Sequence, residues 1–85
     1  MITVSDLRLL SAAIRAARGA LSWSQQDLAD KAGVSLPTVA RLEAGLSSPK
    51  LETVSNMIGA LEKAGVEFDW QVTNGFGIRV TLRKR

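Results

Sequence analysis

The sequence predicts a mainly α-helical domain that ends in a β-hairpin, and two observations lead to this fold class. Apolar residues recur at three- and four-residue steps from about residue 4 to residue 64, which is the spacing of helices with one buried face. From residue 66 to residue 83 they alternate with polar residues, as in strands with one buried face. Because the chain has 85 residues and no linker-like tract, we expect one unit, with a helical domain at 1–65 and a hairpin extension at 66–85.

Start and stop signals in the first region predict where the helices lie. The first helix is expected over about Val4–Arg18 and should stop at Gly19. The second is expected over Gln25–Ala32, because Ser24 and Asp27 form a Ser-x-x-Asp capping box in front of it.

Two further helices complete the predicted domain. The third is expected over about Leu36–Ala44, with Ser35 as its cap and Gly45 after its last turn. The fourth is expected to begin at Pro49, with Ser48 as its cap. Its buried stripe is expected to consist of Leu51, Val54, Ile58 and Leu61.

The register of the hairpin follows from the requirement that its apolar residues share one face. A two-residue turn at Asn74-Gly75 would place the apolar sets of the two strands on opposite faces. A loop that also includes Phe76 instead pairs Trp70 with Val80 and keeps both sets together. We therefore expect the three-residue loop, because a one-residue slip would expose the whole apolar face.

Composition excludes several classes of function. Histidine and cysteine are both absent, which removes Cys/His zinc sites, thiol nucleophiles and Ser-His-Asp catalysis. Wholly apolar runs are only a few residues long, so we expect no membrane partner and a cytoplasmic setting. The net charge of +3 is a mild basic bias. We expect a binding module with no catalytic residues, no metal and no cofactor.

The second and third predicted helices form a helix-turn-helix arrangement, in which a short glycine-led turn joins two short helices. Ala29 allows the helices to approach closely, and Gly33 supplies a corner that needs positive φ. Val39 and Leu42 anchor the third helix to the core. The opposite face of that helix is then free to enter a DNA major groove.

The motif residues resemble a known family. They comprise Trp23–Ala29, Ala32–Ser35 and Thr38–Gly45, followed by Ser48-Pro49 before a helix. These stretches resemble the phage-repressor/Cro-like (XRE) helix-turn-helix family over roughly residues 8–64. The resemblance implies a four-helix repressor-like domain whose third helix recognises double-stranded DNA, and it leaves the hairpin unexplained.

The outward side chains of the third helix are the candidate base readers. They are Leu36, Pro37, Thr38, Ala40 and Arg41. Arg41 is the only long hydrogen-bond donor among them, so we expect it to contact the O6/N7 edge of a guanine, a phosphate contact or a solvated side chain being the alternatives. Family members often have polar residues at the positions of Leu36 and Pro37, where apolar groups suit a thymine methyl.

The candidate phosphate contacts are Gln25, Ser35, Ser47, Ser48 and Lys50. Gln25 begins the second helix, where free amides and the positive dipole end favour a phosphate, and it matches the family's backbone-anchoring glutamine. A solvent-exposed first-turn residue is the alternative, and for the serines capping is an equally good explanation. By the same resemblance, Arg18 and Glu43 correspond to an ion pair that bridges the first helix and the recognition helix; two unpaired surface charges are the alternative.

The hairpin needs a partner surface, because an isolated two-stranded hairpin is marginally stable in water. It could pack on the first and fourth helices or against a second copy of the chain. A single recognition helix reads few base pairs, so we expect a homodimer. The expected dimerisation residues are Phe68, Trp70, Val72, Ile78, Val80 and Leu82.

Two functional hypotheses follow. The first is a sequence-specific transcriptional regulator, a repressor that binds a two-fold operator as a homodimer without a small-molecule effector. The alternative is a protein-binding regulator on the same scaffold, such as an antiactivator or an antitoxin, for which Leu36 and Pro37 would serve as an apolar docking patch.

Overall fold

Four helices followed by a two-stranded antiparallel hairpin make up the fold, as the sequence predicts. The computed structural model describes residues 4–46, 49–71 and 77–83. The elements are α1 (Val4–Ala20), α2 (Gln25–Ala32), α3 (Leu36–Ala44), α4 (Leu51–Lys63), β1 (Val66–Gln71) and β2 (Gly77–Leu82). The predicted bounds of α2 and α3 are confirmed.

The caps of α2 and α3 explain why these two helices begin and end where the sequence predicts. The Ser24 amide donates to Asp27 Oδ2 at 2.8 Å, and the Asp27 amide donates to Ser24 Oγ at 3.0 Å. At the start of α3 the Ser35 hydroxyl oxygen accepts from the Thr38 amide at 3.3 Å. Gly33, at the corner between the two helices, has φ 69°. Each cap pairs backbone groups that lack a partner inside the helix.

The left-handed conformation at Gly33 leads to a stability prediction. We expect Gly33→Ala to lower the free energy of unfolding by ~1–2 kcal/mol, because L side chains are strained at positive φ. A Cβ at this position meets no atom within 4 Å, so the cost is confined to the backbone. Gly59→Ala is the matched control. This glycine lies within α4, a Cβ there also meets nothing, and the change should stabilise by ~0.5–1 kcal/mol. Urea denaturation of both variants measures the difference, and two equal effects would contradict the prediction.

The predicted end of α1 is wrong by two residues. The helix continues through Gly19 to Ala20, and the chain turns at Leu21 and Ser22 instead. Ser22, with φ 57°, adopts the left-handed conformation that the sequence assigns to a glycine stop. The Trp23 amide then donates to the Arg18 carbonyl at 3.0 Å, which closes the turn. Glycine permits a helix to end but does not compel it to do so.

The predicted start of α4 is also wrong by two residues. The helix begins at Leu51, with Lys50 as an N-cap that makes no side-chain capping bond, and Pro49 lies before it. Ser48, the expected cap, lies outside the described residues. Leu51 is 82% exposed, whereas Met57 is fully buried. The buried stripe is therefore Val54, Met57 and Leu61, and Ile58 lies half-buried beside it.

A single apolar core joins the helices to the base of the hairpin. The buried residues that form it are Leu7, Leu10, Ile14, Ala17, Leu28, Ala29, Val39, Leu42, Val54, Met57, Leu61 and Val66. All four helices contribute, and β1 contributes its first residue. This shared core supports treating the described chain as one folded unit.

The strand register differs from the predicted one by two residues. Trp70 pairs with Ile78 rather than Val80, and Val66 pairs with Leu82. A two-residue shift keeps every side chain on the same face, so the alternating pattern cannot distinguish these registers. The observed one places Val66 in the core at the end of α4 and lets the Arg83 amide donate to the Gly65 carbonyl at 2.8 Å. The predicted loop at 74–76 lies outside the described residues.

The apolar face of the hairpin packs against helices of the same chain. β2 contacts α1 and β1 contacts α4, with Phe68 and Val80 half-buried against the core. Two other residues of this face are more exposed: Trp70 near the loop is 43% exposed, and Leu82, opposite Val66 at the base of the hairpin, is 48% exposed. The hairpin therefore has an intramolecular partner, and part of its apolar surface still faces solvent. Val72 lies outside the described residues.

Candidate nucleic-acid interface

The two sides of α3 differ sharply in burial. Val39, Leu42 and Glu43 are buried on the inner side. On the other side Leu36, Pro37 and Arg41 are exposed, while Thr38 and Ala40 are half-buried. Among the described residues the Arg41 side chain makes no hydrogen bond or ion pair. The structure thus places all five candidate base readers on α3, and within the described part of the chain Arg41, the long donor among them, has no partner.

The buried carboxylate of Glu43, near the C-terminal end of α3, holds this helix against α1. Glu43 is 3% exposed, and Arg18 of α1 donates to both of its oxygens, from Nε at 2.7 Å and from Nη2 at 3.0 Å. Arg18 Nη1 also donates to the Trp23 carbonyl at 2.8 Å. The hydrogen bond with Glu43 raises the pKa of Arg18, which keeps the guanidinium charged. Because Arg18 and Glu43 share two hydrogen bonds, the pair fixes both the distance between α1 and α3 and their relative orientation.

Gln25 belongs to the same network. Its side-chain amide donates to Glu43 Oε1 at 3.1 Å, and the residue is half-buried at the first position of α2. This contact ties α2 to α3. A contact between Gln25 and a phosphate stays a prediction.

Two further residues of α1, which have no role in the sequence-based prediction, also reach α3. Ser11 is buried, and its hydroxyl lies within hydrogen-bond distance of the carbonyl of Leu42. Arg15 Nη1 donates to the carbonyl of Glu43. The sequence does indicate that these residues share one face of α1, because residues 11, 15 and 18 follow one another at four- and three-residue steps.

A shallow groove lies between α3 and the start of α4. It is lined by Thr38, Arg41, Leu42, Pro49, Lys50 and Thr53. Arg41 and Lys50 are both exposed, so the groove presents two cations to solvent beside the first turn of α4. Thr53 is a polar lining residue that the sequence analysis did not predict.

The serines predicted to contact phosphates divide into two cases. Ser35 is engaged as a cap, since its hydroxyl also shares a hydrogen bond of 2.7 Å with Thr38 Oγ1. Ser35 therefore acts as a helix cap, and its contact with a phosphate stays a prediction. Ser47 and Ser48 lie outside the described residues.

Comparison with protein families agrees with this geometry. The family model described as helix-turn-helix matches residues 14–68, well over half of the chain. The chain belongs to the XRE-type helix-turn-helix family. The suspected resemblance is thus confirmed, and the family is one of DNA-binding regulatory domains rather than enzymes.

The matched segment of this helix-turn-helix protein begins within α1 and ends in β1, so most of the hairpin lies beyond it. A comparison with curated proteins finds no significant match. Within residues 4–46, 49–71 and 77–83, none of the helices has the length and apolar character needed to cross a bilayer.

Proposed function

We propose that this helix-turn-helix protein is a sequence-specific transcriptional regulator that represses by occupying a two-fold operator in the cytoplasm. The observation that carries the proposal is the exposed outward face of α3, on which Arg41 has no partner among the described residues while the inner side of the helix is buried. A rigid helix with a free arginine fork can enter the major groove and donate to both acceptors of a guanine.

The groove between α3 and α4 supports the assignment of a DNA backbone contact. Lys50 would neutralise a phosphate there while Arg41 reaches the base edge. Lys50 makes no side-chain capping bond, and the first-turn amides of α4 would donate to the same phosphate. The two cations then have separate roles, one in affinity for any DNA and one in the choice of sequence.

A homodimer is the second part of the proposal. One recognition helix contacts too few base pairs for useful discrimination, and two copies related by a two-fold axis read two half-sites. Trp70 and Leu82 keep exposed apolar surface on the face that otherwise packs against α1 and α4. We assign dimerisation to this exposed apolar surface, together with Ile78 and Val72.

One experiment tests binding and symmetry together. Selection from a random duplex pool at 150 mM salt should enrich an inverted repeat whose half-site centres lie ~10 base pairs, or a multiple of this, apart. Sedimentation at tens of micromolar should show a dimer that Leu82→Ser weakens. Leu51→Ser is the matched control, because Leu51 is more exposed and lies outside the hairpin. A pool without an enriched motif would refute sequence-specific binding, and a wild-type monomer would refute the dimer.

A protein-binding regulator is the alternative function, and one observation favours it. Leu36 is 39% exposed and Pro37 is exposed, so the recognition helix begins with an apolar surface. In an antitoxin or antiactivator this surface would meet a protein partner. Salt-sensitive retention of duplex DNA distinguishes the two functions, since contacts with phosphates weaken steeply as salt is raised.

A further inference from the structure

Three polar side chains on one face of α1 converge on the last turn of α3. Arg18 binds the Glu43 carboxylate, and Arg15 Nη1 donates to the backbone carbonyl of Glu43. The Ser11 hydroxyl lies within hydrogen-bond distance of two backbone carbonyls, that of Leu42 in α3 and that of Leu7 in its own helix at 2.8 Å. The ion pair is one element of this arrangement. The two backbone contacts with α3 are a separate feature.

The carbonyls of Leu42 and Glu43 belong to the last turn of α3, where backbone carbonyls find no amide partner within the helix. The last four carbonyls of an α-helix have no partner in the next turn. In α3 the Arg41 carbonyl accepts from the Leu46 amide at 3.1 Å and the Leu42 carbonyl accepts from the Gly45 amide at 3.0 Å. The Glu43 carbonyl is reached by Arg15 instead, whose charge is also favourable at the negative end of the helix dipole.

We propose that Ser11 and Arg15 are positioning residues for DNA reading: they fix the end of α3 from which Arg41 projects. The inference rests on the proposed function and deepens it. Arg41 precedes Leu42 by one residue and Glu43 by two, so a shift of these two carbonyls also moves the base of the Arg41 side chain. A bidentate contact with guanine tolerates little displacement, because both of its bonds depend on one orientation of the fork.

A direct phosphate contact by Arg15 is the competing explanation, since this side chain is exposed. The two roles differ in their salt dependence. A phosphate ligand contributes ~0.9 to the slope of log K against log salt, whereas a residue that acts through α3 contributes nothing to it. Positioning instead changes the ratio of affinities for two sequences that differ at the base read by Arg41.

The experiment uses the full chain, the selected operator and an operator changed at the guanine assigned to Arg41, with affinities measured from 50 to 200 mM salt. We expect Arg15→Gln to reduce discrimination about tenfold, near the low end of what a bidentate contact supplies, with the salt slope unchanged. Arg15→Lys, which keeps a charged donor, should retain most of the discrimination. Ser11→Ala should give a smaller loss in the same direction. Lys50→Ala should flatten the slope and leave discrimination intact.

Matched controls separate positioning from general effects. Arg8→Gln removes the same charge from an exposed position of α1, and Ser55→Ala removes a hydroxyl from an exposed position of α4. Neither should alter discrimination. Circular dichroism at the assay temperature shows which variants are folded. If Arg15→Gln is unfolded, the discrimination measured for Ser11→Ala and Arg15→Lys tests the inference instead.

Three outcomes would overturn the inference. One is a flatter salt slope for Arg15→Gln with unchanged discrimination. Another is an equal loss of discrimination in Arg8→Gln and Arg15→Gln. The third is folded Ser11→Ala and Arg15→Gln variants that discriminate as the wild type does. Each leaves the proposed function standing, whereas a wild-type chain that selects no sequence overturns the function and this inference with it.

Discussion

Replacing Arg18 with methionine is expected to lower the free energy of unfolding by about 3 kcal/mol. The substitution leaves the Glu43 carboxylate, which is 3% exposed, without the partner that donates to both of its oxygens. Removing one member of a buried ion pair costs ~3–5 kcal/mol, because the remaining charge is left buried. We expect the lower end of this range, since Gln25 still donates to Glu43 and Arg18 itself is 22% exposed. That loss is a large part of the ~5–15 kcal/mol typical of whole domains.

Urea denaturation measures this loss, and two further variants test its origin. Arg8→Met, which removes an exposed arginine from the same helix, should change the free energy of unfolding by less than ~0.5 kcal/mol. The double variant Arg18→Met/Glu43→Leu should recover most of the stability, because an apolar pair no longer buries an unmatched charge. A loss below ~1 kcal/mol in Arg18→Met would mean that the pair behaves like an exposed salt bridge.

The features that could be predicted from the sequence are those fixed by neighbours along the chain. Ser24 and Asp27 interact across three residues, and the bounds of α2 follow from that local contact. The choice of Met57 over Leu51 for the core could not be predicted, because it depends on how α4 faces the other helices. The strand register depends likewise on where Val66 meets the core. Hydrophobic patterning fixes the face of an element but not its position along a neighbour.

Some features of the candidate site could likewise be predicted from the sequence, and others could not. The exposure of Arg41 follows from its place on α3 relative to Val39 and Leu42, which a helical period predicts. The contacts of Ser11 and Arg15 could not be predicted in this way, because their partners are backbone carbonyls. Every residue has such a carbonyl, so no residue type in α3 indicates which ones α1 will meet. The Arg18–Glu43 pair differs, because both partners are side chains, and the resemblance to the family implies it.

Substitution of Arg41 by alanine is expected to weaken binding to the selected operator by roughly 5–150-fold, or ~1–3 kcal/mol, and to relax the choice of base at one position of each half-site. The side chain is exposed and has no partner in the described part of the chain, so its loss should leave the free energy of unfolding within ~0.5 kcal/mol of the wild-type value. Affinities for the operator and its single-base variants, at one stated salt concentration, measure both effects.

Arg41→Lys separates the two ways in which an arginine can serve DNA. The variant keeps the positive charge but lacks the planar fork, so a phosphate contact would survive it while a bidentate contact with guanine would not. We expect Arg41→Lys to keep the wild-type salt slope and to lose most of the discrimination that Arg41→Ala loses. If Arg41→Ala instead loses affinity equally for operator and random DNA, and Arg41→Lys binds both as the wild type does, Arg41 contacts the backbone. Sequence choice must then come from Thr38, Ala40 and the apolar start of α3 or from the shape of the DNA.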